Sequence, residues 1–503
     1  MPLISSHNSG RFHHTPRFMP KSRNALLSLV VFSTAVTSTS IGYDSMVMAG
    51  VIAVPQFTNF FHLNPTINGL MNASLWMGGL IACLFTQYLS DHYGRKRAII
   101  ISSLVSFVGV ILQTASTSNI GMFIFARLVI GISNQLAGTA SPLLIAEISP
   151  KLIRGFMVGL YFTCFNVGAI IASGVTYGSV GIPNTWAWRL PSLIQAAPSA
   201  LSLLLLFIVP ESPRWKIANG QLEYAVEVFQ VIDTASEKEA RAYVHQLKQT
   251  IDDESISSKS AWTVLLHPSQ ADKQRLIIVF TFAMVVELAG SSVGSWYLTI
   301  IMRQAGITNT DKLLQINLIS SCWNFVCAVV GSYMFDHIGR KRQAIGAMIG
   351  MIATLFLLGG FVKMYGESNS KAGQYATVFF MFLFNGCYNF SITPLNCLYP
   401  SELFPMKTRA AGTTIFKFWN SGFGLLGTFI SPIAMTRIGW KFYVINASYD
   451  VVLLALAYMY WVETKGMSLE EIGRLLGDTE VCIPELDGLE CISESNTANY
   501  IKK

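Results

Sequence analysis

Charged side chains interrupt apolar stretches of this 503-residue chain, foremost among them Asp44, Arg127, Glu287 and Lys417. A charge at the centre of a bilayer costs at least about 2.5–3.5 kcal/mol unless it is paired or hydrated, so groups kept at that depth are where chemistry is to be sought. Such groups can bind protons or a polar or charged solute. Arg127 lies near the start of its stretch and Lys417 near the start of another, where a long stem also lets the charge reach an interface. No glycine-rich nucleotide loop with lysine, no metal-ligand cluster and no nucleophile triad accompanies them. An ATP-driven pump, an enzyme and a bound cofactor therefore have no support in the sequence.

The apolar runs supply the elements that hold these residues. With 52% hydrophobic and 13% charged positions there is too little polar surface for a soluble protein of this length, so the lipid bilayer must supply the rest of the environment. Runs fall at 25–50, 67–89, 98–115, 121–143, 156–178 and 191–209, then at 276–301, 313–335, 343–363, 375–398, 411–432 and 440–461. Each is long enough to cross a bilayer, which predicts an all-α membrane protein of about twelve transmembrane helices, six per half.

The first run is too long for the core of a signal peptide and has no small-residue cleavage site, so it is expected to stay on the protein. Arg11, Arg17, Lys21 and Arg23 precede it without an acid, and the basic clusters Arg95, Lys96, Arg97 and Arg340, Lys341, Arg342 follow even-numbered runs. Positive-inside bias then puts both termini in the cytoplasm. The net charge of +7 serves this orientation, with anionic lipid rather than nucleic acid as its neighbour. The eight cysteines are scattered, with Cys482 and Cys491 in the tail, and show neither a disulfide framework nor a zinc spacing. The sequons at Asn72, Asn389 and Asn446 fall inside the runs, beyond the reach of glycan transfer.

Residues 210–274 are the one long polar connection. Leu222, Ala225, Val226, Phe229 and Ile232, then Ala240, Val244, Leu247 and Ile251, recur at helical spacing, which predicts short amphipathic helices beneath the bundle. The expected division is a tail at 1–24, a six-helix bundle at 25–209, this linker at 210–274, a second bundle at 275–462 and a tail at 463–503.

Repetition makes the two bundles relatives. DHYGRKR at Asp91 to Arg97 returns as DHIGRKR at Asp336 to Arg342, EISPKLIRG at Glu147 to Gly155 is answered by ELFPMKTRAA at Glu402 to Ala411, and PESPRW at Pro210 to Trp215 by VETKG at Val462 to Gly466. Three echoes in one order at nearly one spacing imply two halves of like topology. Arg95 and Arg97 can bridge to Glu147 and Asp91, and Arg340 and Arg342 to Asp336 and Glu402, giving charge-assisted clusters at the cytoplasmic ends of neighbouring helices.

At these motifs, and over nearly its whole length, the chain closely resembles the sugar porter family of the major facilitator superfamily. The repeated D-x-x-G-R-[RK]-[RK] loops, PESPRW and the E-x-x-x-x-x-x-R-G loop carry the resemblance. TWAWRLPSLIQ at Thr185 to Gln195 and IGWKFYVI at Ile438 to Ile445 resemble the fungal branch that includes lactose-permease-like, hexose and cellodextrin transporters. The resemblance implies two pseudo-symmetric six-helix bundles that alternate access to a central site. It also implies a gate, latching the outward-facing state, made of Asp91, Arg95, Arg97, Glu147, Arg154, Glu211 and Arg214 in one half and Asp336, Arg340, Arg342, Glu402 and Arg409 in the other, with Glu463 as a further member. GYDSMVMAG around Asp44 and FARLVIG around Arg127 resemble proton-coupled members, in which an acid of the first helix faces an arginine of the fourth. Moving such a pair apart and together converts proton binding into a conformational bias.

The substrate site is expected near the midplane between the halves, built from amides, hydroxyls and one or two aromatics. In VELAGSSVGSWYL, Glu287 stands where the family has glutamine and Ser291 where it has asparagine; the family's fifth-helix glutamine falls on Phe162 and its tenth-helix tryptophan on Ile392. Glu287 either replaces that glutamine as a neutral acid or ionises beside Lys417 or a cationic group of the substrate. Asn420 aligns with a polar sugar-contacting position of the eleventh helix, next to Trp419, and Asn324, Asn389 and Asn396 add amides equally suited to interhelical hydrogen bonds. The resulting expectation is a monomeric secondary active transporter of the plasma membrane that moves a sugar or related small polar solute, with protons as the coupling ion. Transport of a non-sugar metabolite, such as a polyol or secondary metabolite, is the first alternative. A non-transporting nutrient sensor of the same fold is the second, although its usual mark is a long signalling tail and 463–503 is short.

Overall fold

Inside a bilayer no water is at hand to satisfy backbone amides, so an apolar run closes its own hydrogen bonds as a helix. The computed structural model describes residues 15–16, 19–150, 153–233, 236–257, 268–290, 297–304, 306–307, 309–365, 371–405, 408–467, 469–477, 483–485 and 488–490. The first half consists of α1 (Arg23–Val51), α2 (Pro55–Phe61), α3 (Pro65–Cys83), α4 (Thr86–Tyr93), α5 (Arg95–Thr114), α6 (Ile120–Ile148), α7 (Arg154–Ser179), α8 (Trp186–Ile194) and α9 (Ala196–Leu206). Three connecting helices follow: α10 (Pro213–Ala218), α11 (Leu222–Asp233) and α12 (Glu237–Ser257). The second half comprises α13 (Gln270–Leu288), α14 (Leu298–Gln304), α15 (Thr310–Ile338), α16 (Arg340–Tyr365), α17 (Lys371–Leu403), α18 (Arg409–Ile438) and α19 (Lys441–Tyr460). A short α20 (Leu469–Leu475) and an antiparallel hairpin of β1 (Ile483–Glu485) with β2 (Gly488–Glu490) come last.

Among the described residues, nine helices are long and apolar enough to cross a membrane, and α3 with α4 makes a tenth span bent by 53°. The two remaining expected positions are of another character. At the seventh, the run 276–301 is not one helix: α13 stops at Leu288, Gly290 takes φ +83°, and Leu298 begins a separate helix, α14. A residue without Cβ accepts that left-handed conformation at little cost, so the chain breaks there. At the eleventh, α18 is 30 residues long, and its charge-free stretch 418–435 is diluted by Asn420, Ser421, Thr428, Ser431 and three glycines, which lower its apolar character.

Within the first half α1 packs along α7 and α3 along α6; within the second, α15 and α16 both pack along α17. The halves meet where α3 lies against α18 and α7 against α15. Small residues let backbones approach in lipid, where no hydrophobic driving force pulls helices together. At the crossing of α3 and α6, a Cβ on Gly78 would overlap the Leu128 carbonyl and one on Gly131 the Leu75 carbonyl.

The connecting helices belong to the first half by packing. Ala225, Val228 and Phe229 of α11 and Ala240 and Val244 of α12 share a core with Leu26 and Val30 of α1, Ile148 and Leu206. Thr15 ties the N-terminal segment to the same layer, its N–H and hydroxyl donating to Glu227 at 3.0 and 2.9 Å.

Candidate functional site

One end of the bundle carries both arginine loops, and the two are built alike. Arg95 bridges Asp91 at 3.3 Å and Glu147 at 3.1 Å, while Arg340 bridges Asp336 at 3.2 Å and Glu402 at 3.2 Å. Glu147 accepts from the Ser212 hydroxyl, and Glu402 accepts from the Thr464 hydroxyl at 2.6 Å. Glu211 accepts from the N–H of Lys96 at 2.9 Å, as Glu463 does from the N–H of Arg340 at 2.7 Å. Each of these glutamates sits at the start of a loop-following helix, where orphan N–H groups favour an anion. Lys96 and Lys341 complete the match, donating to the carbonyls of Val209 at 2.8 Å and Tyr458 at 2.9 Å. The glycine of each motif has positive φ, +97° at Gly94 and +102° at Gly339, and a Cβ on either would strike its glutamate. Glycine is required there twice over, by conformation and by space.

Not every expected member joins. The side chains of Arg97 and Arg342 are exposed, and no ion pair to them is formed among the described residues. They project along helices whose first residues, Arg95 and Arg340, already take the acids. Arg409 donates from Nε to the Phe404 carbonyl at 3.4 Å, and Arg214 is half-buried at the start of α10. Next to it, burial holds the Lys216 ammonium below the usual lysine range, against the opposing pull of Glu211. The Arg154 side chain and Ser291 lie outside the described residues.

Deeper in the first half, Asp44 and Arg127 are both fully buried. Arg127 therefore does not reach an interface. Its Nη1 donates to the backbone carbonyl of Asp44 at 2.7 Å, and the Asp44 carboxylate accepts instead from Gln195 Nε2 at 2.9 Å. Gln195 is held in turn by Gln113, whose Nε2 donates to Gln195 Oε1 at 2.7 Å and to Ser192 Oγ at 3.1 Å. Asp44 Oδ2 and Arg127 Nε and Nη2 have no hydrogen-bond partner among the described residues, so a short movement would let carboxylate and guanidinium meet. Gln113 and Gln195 were missed in the sequence. Their signal was amide side chains in otherwise apolar runs, with Gln195 set in the junction of α8 and α9.

Between the halves lies a cavity of about 250 Å³. Ser38, Asn134, Gln135 and Asn166 line it from the first half; Glu287, Asn317, Asn324, Asn389, Asn396, Lys417 and Asn420 line it from the second. Trp76, Tyr161, Phe162 and Tyr388 supply aromatic surface. Glu287 faces the Asn420 amide and lies within electrostatic reach of Lys417, so the two formal charges of the lining sit together. Lys417 is thus a cavity residue rather than an interfacial one. The carbonyl oxygens of Asn324, Asn396 and Asn420 and the amide nitrogen of Asn166 have no partner among the described residues, whereas Asn389 is occupied by Asn385 and Thr393. Trp419 is absent from the lining: it meets Phe280 edge-on at 4.8 Å and stacks with Phe423 at 6.1 Å. Ile392 is buried in the core of the second half.

Hydrogen bonds across the halves favour the end opposite the arginine loops. Tyr297 of the broken seventh span accepts from Asn72 at 3.2 Å while donating within its own half to the Thr428 carbonyl at 2.6 Å, and Arg303 reaches the Ala53 carbonyl at 3.4 Å. Ser173 bonds Ser321 at 3.0 Å and accepts from Asn317 at 3.2 Å, and Gln315 donates to Tyr177 at 2.9 Å. On the loop side, Thr414 to Gln87 at 3.2 Å is the one cross-half side-chain bond among the described residues. The cavity is therefore latched on its distal side.

Residues 30–476 match the family described as Sugar (and other) transporter. The chain belongs to that family. It is a multi-pass membrane transporter, with nine to ten apolar spans by length and composition among its described residues. It is 27% identical to the MFS-type transporter criB of Aspergillus cristatus, over 90% of this chain and 94% of that one. It is 28% identical to the glucose transporter GlcP of Staphylococcus epidermidis, over 86% and 93% of the two chains, and 24% identical to the low-affinity glucose transporter HXT4 of Saccharomyces cerevisiae, over 91% and 82%. Among solved structures it is similar to the partially occluded inward-open xylose transporter XylE from E. coli, with a TM-score of 0.73 at 21% identity over 88% of this chain and 100% of that one. The proton:xylose symporter XylE bound to 6-bromo-6-deoxy-D-glucose matches with a TM-score of 0.73 at 21% identity, over 90% and 100%. At that identity the likeness establishes the major facilitator fold.

Proposed function

We propose that this transporter carries a sugar or closely related polyhydroxylated solute through the central cavity by alternating access, with proton binding at Asp44 as the drive. The observation that carries the substrate class is the cavity wall: amides and hydroxyls from both halves, with unpartnered carbonyl oxygens on Asn324, Asn396 and Asn420 and an unpartnered amide nitrogen on Asn166. A hydroxyl both donates and accepts, so a polyol satisfies such a mixed set without net charge. Relatives named as glucose transporters support the same class.

In this reading Asp44 takes and releases the proton, Arg127 supplies the charge that biases it, and Gln195 fixes the carboxylate between turns of the cycle. The arginine clusters, each within one half and formed while the distal side is latched, brace the cytoplasmic helix ends that move as the halves rock, and the Tyr297–Asn72 contact latches the opposite face. Both termini are cytoplasmic, the basic loops being the positive-inside face. The protein works as a monomer in the plasma membrane, performs no covalent chemistry, and divides into bundles 25–209 and 275–462 joined by 210–274.

Glu287 and Lys417 favour a second reading, transport of a charged or amphoteric metabolite, because formal charges are not needed for a neutral sugar. Uptake of a labelled panel of mono- and disaccharides, polyols and their acid derivatives into transport-deficient cells tests both. Saturable, pH-dependent uptake of a neutral sugar supports the first; uptake of acids alone overturns it.

A further inference from the structure

Asp450 is a further charge-bearing residue at membrane depth, midway along α19, and no role above uses it. It lies on the buried stripe Tyr443, Asn446, Ala447, Asp450, Leu453 and Ala457, at a position where the 3.6-residue period calls for an aliphatic side chain. It is 1% exposed, and both carboxylate oxygens are without a hydrogen-bond partner among the described residues. It does not line the central cavity.

Its neighbours give it a mechanical position. Asn446 and Tyr449, on the same helix, both bond the Leu288 carbonyl, the last of α13 before the break, with Asn446 at 3.4 Å. Beyond the break stands Tyr297, the centre of the distal latch. The helices packed against α19 are α13, α16 and α18. Their charged groups are Asp272, Lys273, Arg275 and Glu287 on α13, Arg340, Lys341, Arg342 and Lys363 on α16, and Arg409, Lys417 and Arg437 on α18. Of these only Glu287 and Lys417 lie near the midplane, and both line the cavity; no ion pair to Asp450 forms among the described residues. On its own helix the adjacent titratable group is the Tyr449 phenol.

We propose that Asp450 is a second proton-binding site, separate from Asp44, which holds the α13–α19 seam closed when protonated and lets the distal latch open when it ionises. The argument is one of solvation. An ionised carboxylate with neither counter-charge nor donor is not tolerated in an apolar seam, whereas the neutral acid is. Ionisation therefore requires water or a donor, which the seam admits only by loosening around Leu288. Loosening that anchor frees α14 and, with it, the Tyr297 bonds to Asn72 and Thr428.

Infrared spectroscopy of the purified full-length protein, without substrate, tests the site. One carbonyl band of a protonated carboxylic acid, distinct from those removed by Asp44→Asn or Glu287→Gln, should be lost in Asp450→Asn and restored at a shifted frequency in Asp450→Glu. An unchanged protonated-acid spectrum in Asp450→Asn overturns the proposal, and the glutamate variant guards against misfolding as the cause of a loss. The gating half is read by an impermeant maleimide on Ala53→Cys, in the distal seam, in a protein free of other cysteines and carrying Asp44→Asn. Labelling, divided at each pH by the reagent's rate with free cysteine to remove thiol ionisation, should rise at least threefold as pH rises through the titration and become independent of pH with Asp450→Asn. Labelling with the same pH profile in both overturns it. Neither readout involves a transported solute, so the substrate assignment can fail without touching this result.

Discussion

The two arginine loops are near copies, whereas the interiors they frame are not. Arg95, Asp91, Glu147, Glu211 and Lys96 find counterparts in Arg340, Asp336, Glu402, Glu463 and Lys341, down to matching bonds to helix N–H groups. Inside the bundle the correspondence ends. The first half holds a closed polar relay from Gln113 through Gln195 to Asp44, away from the cavity lining. The second half contributes both formal charges of the cavity and the break at Gly290. Duplication thus preserved the clusters that tie the helix ends of each half together. The interiors were free to diverge: the first half buries its acid behind two glutamines, and the second turns its two formal charges into the shared cavity.

The largest effect should come from the arginine clusters. Truncating one partner of a hydrogen-bonded, largely buried charge pair costs about 2 kcal/mol or more, mostly by stranding the other charge, and 1.4 kcal/mol is a factor of ten. Arg95→Ala and Arg340→Ala should each slow turnover by roughly 30-fold on that basis, with unaltered order of preference among substrates in a competition panel. Losses differing by more than tenfold between the two would break the equivalence drawn here.

Glu287→Gln sharpens the other side of the comparison. A neutral Glu287 donates and accepts much as glutamine does, so affinity for a neutral sugar should then be retained; an ionised Glu287 gives a charge-assisted bond of about 1.5–3 kcal/mol against about 1, and affinity should then fall about tenfold. Km and accumulation ratio, measured against pH, check this. Unchanged affinity, selectivity and pH profile would remove Glu287 from the site. Smaller still should be Gln195→Leu, which frees Asp44 Oδ1 of its donor while leaving the cavity intact. Counterflow should persist with a severalfold lower accumulation ratio. The smallest effect belongs to Arg241→Ala in the connecting helices. Arg241 pairs with Glu223 at 2.6 Å and Glu237 at 3.1 Å, but all three are exposed and water screens them, so thermal unfolding should not shift measurably.

The sequence made the frame legible because its signals are local and repeated. Apolar length marks a span, and the D-x-x-G-R-K-R motif carries its own glycine, arginine and acid within seven residues. What it hid depends on rotation and depth. Arg127 and Lys417 could be read as reaching an interface, and only helix packing turns one onto Asp44 and the other into the cavity. Trp419 and Asn420 are adjacent in sequence yet about 100° apart around α18, so one stacks with Phe423 while its neighbour meets Glu287. The break at Gly290 opens a Gly/Ser-rich stretch, GSSVGS, that apolar residues flank on both sides, so run length alone read it as part of one span. Asp450 carried the same signal as Asp44 and Glu287, a single acid within an apolar run, and was passed over; helix packing shows it buried.

The division of labour between the halves is tested most directly by uphill accumulation in Asp44→Asn, measured against external pH alongside substrate counterflow in the same cells. Loss of pH-driven accumulation with counterflow retained is the result expected if the proton is handled in the first half while the second still binds solute and the gates still move. Undiminished accumulation at every pH would contradict it and leave Asp44 without the coupling role.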